Sequence, residues 1–101
     1  MNSRGPLIRD LEHEYDTDNG FLGLLRSGHF DTRARDRFLA LLRSIDLGEG
    51  ESVDRRIVAL LWYVPLLLRW QERRLDEEER KALDHTIDSV TTELERILGV
   101  P

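Results

Sequence analysis

Cysteine is missing altogether from this 101-residue chain. Disulfides, thiolate metal sites and thiol nucleophiles are thereby excluded, and the composition is compatible with a reducing cytoplasm. Glycine and proline are scarce, at seven and three residues, and aromatics supply 7%. β-Branched and aromatic residues alternate with polar ones too rarely to build a sheet. Lysine is nearly absent too: Lys81 stands alone against 14 arginines, a bias that composition explains better than guanidinium chemistry. The N-terminal MNSRGPLIRDLEHEY lacks the apolar core of a secretory signal, and no apolar run approaches the ~20 residues of a membrane-spanning helix. A cytoplasmic protein is the expectation. A basic surplus is lacking as well. The formal net charge of −5 argues against non-specific nucleic-acid binding and permits attraction to a basic partner.

Leucine is what the chain has in abundance, with 18 residues; it loses little rotamer freedom in a helix. The stretch Ile57–Leu68, IVALLWYVPLLL, carries no charge and is closed by Arg55–Arg56 and Arg69. A helix that is apolar on every side must be covered by other helices. The expected fold is therefore all-α: a compact bundle of four to five helices with a buried, Pro-kinked central helix, in a single domain over residues 1–101.

The remaining segments supply those helices. Leu7, Leu11 and Tyr15 at spacing four predict a helix over Pro6–Tyr15, which DTDNG at 16–20 ends. Phe21, Leu22, Leu24 and Leu25 form a short apolar turn with Asp18 or Asn19 as N-cap and Gly28 as its stop. Asp31 caps a helix over Thr32–Ile45, with Phe30 placed to staple onto its first turns. Ser52 caps the central helix, Val53–Arg74, in which Pro65 imposes a kink near Leu61–Pro65; the alternative is two helices broken before Pro65. Trp62 is assigned to the core, and Trp70, beside Arg69 and Arg73, to its edge, with an interface as the alternative. Asp76 and Glu79 read as a capping box for Glu77–Leu98, whose Leu83, Ile87, Val90, Leu94 and Ile97 make a heptad-like seam. Gly99 and Pro101 end that helix.

Chemistry is harder to find. DTDNG at 16–20 resembles the start of a calcium loop, but neither register puts Gly sixth and Glu twelfth. Asp10 and His13 share a helix face, yet His85 has Ala82 where a matching carboxylate would be needed for a dinuclear site. Asp84 and Asp88, a turn apart, read as a solvated face. No serine lies in a nucleophile elbow, and GEGES at 48–52 lacks the lysine and the strand of a phosphate loop. Arg33 and Arg37, with Arg26 and Arg43, read as a solvated face, not a phosphate strip. No metal, no cofactor and no catalytic residue is expected.

Charge is sorted into blocks. Acids outnumber bases five to two in 1–20, bases outnumber acids five to two in 21–45, and 46–54 holds four acids and no base. Residues 55–75 hold one acid and five bases, and 76–101 eight acids and three bases. Two acidic patches stand out as candidate partner-binding surfaces: Asp10, Glu12, Glu14, Asp16 and Asp18, and Asp46, Glu49, Glu51 and Asp54. Clustered carboxylates focus a field that speeds association with a basic protein.

The segment 18–31, DNGFLGLLRSGHFD, followed by the apolar helix Phe38–Ile45, resembles a pattern in small acidic bacterial immunity-type proteins of polymorphic and contact-dependent toxin systems. The similarity spans residues 10–45. Trp62-Tyr63-Val64-Pro65 lies inside an apolar run where the colicin-nuclease immunity group exposes Tyr-Tyr-Pro, so no binding residue carries over. The resemblance implies a cytoplasmic, stoichiometric inhibitor that occludes a basic toxin domain, with a protein as partner and neither nucleic acid nor membrane. The alternative is a self-associating structural or regulatory module, a homodimer burying Leu83, Ile87 and Val90 between chains.

Overall fold

A computed structural model describes residues 5–47 and 53–100. It is all-α, with no strand among those residues: α1 (Gly5–His13), α2 (Phe21–Arg26), α3 (Thr32–Ser44), α4 (Arg55–Trp62), α5 (Val64–Trp70), a 3-10 turn (Glu72–Arg74) and α6 (Glu77–Leu98). Glu49, Glu51, Ser52 and Pro101, named above, lie outside the described residues. Among the described residues no helix is long and apolar enough to cross a membrane.

The local signals act as the sequence predicts at most boundaries. Asp31 accepts the Ala34 N–H at 2.9 Å to start α3. Asp76 and Glu79 form the reciprocal capping box, at 2.8 and 3.2 Å. Gly28, at φ +89°, stops α2: its N–H reaches the Leu25 carbonyl and that of His29 reaches Leu24, the paired bonds of a left-handed helix stop. Phe30 lies under the Arg35 guanidinium, 5.7 Å from ring centre, and edge-on to Phe21 at 6.0 Å. Two caps differ from expectation. The central rod starts from Asp54, whose side chain accepts from Arg56 N at 2.7 Å. At α2 neither Asp18 nor Asn19 is the cap: the N-cap is Gly20, and the Phe21 N–H goes instead to the Glu14 carboxylate.

The central segment is two helices, α4 and α5, divided at Tyr63 ahead of Pro65, rather than one kinked helix over Val53–Arg74. Tyr63 separates α4 from α5 while keeping helical dihedrals, φ −72° and ψ −23°. Pro65 thus occupies the first turn of α5, where a missing N–H is tolerated. The regular rod covers 55–70, shorter than expected, with the 3-10 turn completing it to Arg74. It packs against α1 and α2 on one side and α6 on the other, while α3 closes the core against α2 and α6.

Phe21, Leu22, Leu25, Phe38, Leu42, Ile57, Leu61, Val64, Leu67, Leu68 and Leu83 are sealed from solvent. Each large-to-small change among them would cost about 2–5 kcal/mol. Leu83, Ile87, Val90 and Leu94 are buried in the same core. The heptad-like seam is thus spent within one chain, and a dimer burying it would have to open the fold. The Arg96 guanidinium ties α6 to the C-terminal end of α3, donating to the carbonyls of Ile45 and Leu42 at 2.9 Å each.

Candidate functional site

The acidic cluster at the end of α1 is drawn inward. Glu14 is 3% exposed. Its Oε1 accepts from the Phe21 N–H and from Arg37 Nη2, and its Oε2 from Arg37 Nε, each at 3.0 Å. Such a two-pronged guanidinium–carboxylate contact is among the stronger hydrogen-bonded pairs. Its main-chain oxygen also receives the N–H groups of Leu22 and Gly23. Arg37 Nη2 adds a 2.8 Å bond to the Asn19 carbonyl, and the contact with Glu14 holds its pKa above the ordinary arginine value. A side chain at Gly23 would overlap the Asp16 carbonyl. The turn at 14–23 is therefore built around one buried carboxylate.

The other acids are placed as follows. Glu12 pairs with Arg56 of α4 at 2.8 Å. Asp16 accepts from the backbone N–H groups of Asn19 and Asp18, which holds its pKa below the usual carboxylate value. Asp54 is the cap of α4, and Asp46 is engaged as well. Asp10 and Asp18 are the exposed remainder; Asp18 joins the turn through its backbone N–H. Glu14 thus leaves the surface patch altogether. The reason is electrostatic: basic residues of α3 and α4 stand opposite this end of α1, so Glu14 is buried against Arg37 and Glu12 pairs with Arg56 at the surface. Arg37 keeps about half of its side chain exposed while its guanidinium is tied to Glu14. Asp84 lies against Glu72, whose pKa is raised by the hydrogen bond to that neighbouring carboxylate. No group of three or more His, Asp or Glu side chains among the described residues converges on a point that could hold a metal.

A second surface was not expected. Trp62 is 53% exposed, Leu66 40% and Trp70 58%. Trp62 therefore lies outside the core that its apolar context predicts, and Trp70, a core-edge or interface residue by sequence, is more than half exposed. Their spacing of four places all three on one face of the α4–α5 rod. Tyr63, half-buried, stands between the two indoles, edge-on to Trp62 at 6.0 Å and to Trp70 at 5.7 Å. The three rings brace one another, which limits the rotamer freedom a partner would have to freeze. Exposed parts of aromatic side chains of this size sum to roughly 300 Å². That is the scale of the largest apolar patch on a typical monomer, and such patches are often functional.

Tyr63 also joins this face to an open groove of about 340 Å³ between α1 and α4, lined by Glu12, Tyr15, Arg56, Ala59, Leu60 and Tyr63. Tyr15 fixes its wall: the hydroxyl donates to the Leu60 carbonyl at 2.7 Å. Burial, then the neighbouring Tyr63, pushes its pKa up to about 12. Arg55, Arg69 and Arg73 are exposed beside the aromatic face. None makes an ion pair among the described residues.

One signal in the sequence marks this face. Arg55 and Arg69, which help close the apolar run, fall in phase with its exposed residues: 55, 62, 66 and 69 follow at spacings of seven, four and three, which is one side of a helix. An uncharged run read as a whole hides that phase. No protein family, no curated protein and no solved structure matches this chain.

Proposed function

We propose that this chain is a protein-binding helical domain that works by occupying a surface of another protein, with no chemistry of its own. The supporting observation is the braced aromatic face of Trp62, Tyr63, Leu66 and Trp70. Interfaces draw most of their energy from a few desolvated anchors, and tryptophan is the commonest of them. A rigid aromatic ridge left uncovered beside an open groove of mixed polarity suits that role better than it suits a folding core.

The inhibitor of immunity type is the narrower form of this reading, in which the domain covers a basic toxin cleft stoichiometrically. The exposure of Asp10 and Asp18 at the α1 end favours it. Affinity capture by three forms of the chain separates the two: the unaltered chain, Trp62→Ala/Trp70→Ala, and Asp10→Asn/Asp18→Asn. The aromatic-face reading expects one stoichiometric partner that survives the aspartate changes and is lost with the tryptophans. Retention on the tryptophan variant together with loss on the aspartate variant would move the site to the acidic end and support the inhibitor.

A further inference from the structure

We infer that the aromatic face takes an acidic amphipathic helix of a partner protein, laid along the α4–α5 rod with its apolar stripe on Trp62, Leu66 and Trp70. The inference rests on the protein-binding reading and adds the partner's chemistry. Three observations carry it.

The first is shape. The exposed anchors run along a rod, so their complement is another rod. A helix crossing at a shallow angle presents residues at i, i+3, i+4 and i+7 to such a ridge. The second is extent. Roughly 300 Å² of exposed aromatic and leucine surface falls well short of the ~800 Å² per partner of a stable interface. The contact must therefore reach beyond the three anchors, into the groove at Tyr15, Ala59 and Leu60 and out to the arginines at both ends. A helix several turns long spans that distance, whereas a single inserted side chain does not.

The third is charge. Arg55 stands at one end of the face and Arg69 and Arg73 at the other, all exposed. Residues 55–71 contain no acid; the nearest acids in sequence are Asp54 and Glu72, and only Glu72 is an electrostatic neighbour of Arg69, so the arginines outnumber the acids along this face. A partner helix with carboxylates flanking its apolar stripe would meet opposite charge at each end, which sets register and speeds encounter. A second copy of this chain fits less well: two-fold pairing of the face sets Arg55 against Arg73 of the other copy. Single-stranded nucleic acid also stacks on aromatics between arginines, but three arginines on a molecule of net charge −5 give it little electrostatic footing.

The test uses the full chain and three labelled probes followed by anisotropy: an amphipathic leucine-faced helix flanked by glutamates, its twin flanked by lysines, and an oligouridylate. The expected result is binding of the glutamate peptide at least ~10-fold tighter than its lysine twin at low salt. Trp62→Ala/Trp70→Ala should weaken the glutamate peptide by ~30-fold or more, and Arg69→Glu/Arg73→Glu should reverse the preference between the peptides. These four side chains are exposed, and an unchanged thermal midpoint for each variant confirms that folding is not what is read. Equal or tighter binding of the lysine twin, or tightest binding of the oligouridylate, overturns the inference. So does a dimer in sedimentation that the tryptophan changes dissociate. Charge-blind peptide binding that still needs both tryptophans removes the acidic helix and leaves the protein-binding face standing. Peptide binding that ignores the tryptophans removes the face itself.

Discussion

Replacing Arg37 by methionine should harm the fold more than replacing Glu14 by glutamine, although both break the same pair. Glu14 is sealed, at 3% exposure of its side chain, while that of Arg37 is 48% exposed. Arg37→Met keeps the aliphatic stem but leaves a carboxylate out of water with the Phe21 N–H as its remaining side-chain donor. An uncompensated buried charge of this kind costs about 3–5 kcal/mol. Glu14→Gln retains an oxygen for the Phe21 N–H and frees a guanidinium that can turn to solvent, so about 1–2 kcal/mol is expected. The double variant Glu14→Gln/Arg37→Met carries no buried charge and should be more stable than Arg37→Met alone. Urea unfolding followed by far-UV circular dichroism checks the order; tryptophan emission is a poor reporter because both indoles are exposed in the native state. Equal losses for the two single variants, or a loss below about 1 kcal/mol for Arg37→Met, would refute the claim that the 14–23 turn is organised by a buried carboxylate.

Other perturbations have equally definite outcomes. Gly23→Ala places a Cβ against the Asp16 carbonyl, backbone that cannot easily yield, and should lower the urea midpoint strongly, whereas Gly5→Ala, with open space around it, should leave it nearly unchanged. Tyr15 is an acid whose folded pKa of about 12 lies above its ordinary 10.0. Its contribution is therefore complete below pH ~10 and lost as pH rises toward ~12, amounting to roughly 1 kcal/mol once partial exposure is allowed for. Urea midpoints against pH should show that loss in the unaltered chain and not in Tyr15→Phe. Asp76→Ala removes the cap of the 22-residue α6 and should cost about 0.5–2 kcal/mol by thermal melting.

Much of this fold is written in local signals. Asp31, Asp76 and Glu79 cap the helices they precede because a short polar side chain beside an apolar stripe has little else to do. Gly28 stops α2 because it alone tolerates φ +89°. The stripes of α3 and α6 point to the core because burial at period 3.6 leaves no other direction. What long-range contact decides was not legible. Glu14 looks like one of five alternating acids until α3 brings Arg37 against it, and Phe21 looks capped by its immediate neighbours until that same carboxylate is in place. Trp62 looks like core because it stands in an uncharged run; whether a rod is covered on all sides depends on how many helices exist to cover it. Here α1, α2 and α6 cover part of the rod and leave Trp62 exposed. The environment of each acid in the two patches was illegible for a related reason. Net charge in a segment says nothing of which oxygens remain open once the basic helices have docked.

The α4–α5 rod holds Trp62 and Trp70 in solvent, and we propose that this face is a contact surface. Acrylamide quenching of tryptophan emission, measured on the free chain and on its complex with the captured partner, tests this most directly. The prediction is red-shifted, readily quenched emission from the free chain and strong shielding in the complex. Emission that is already blue-shifted and protected in the free chain would put the indoles in the core, and quenching that stays the same on binding would show that the partner docks elsewhere; either contradicts the claim.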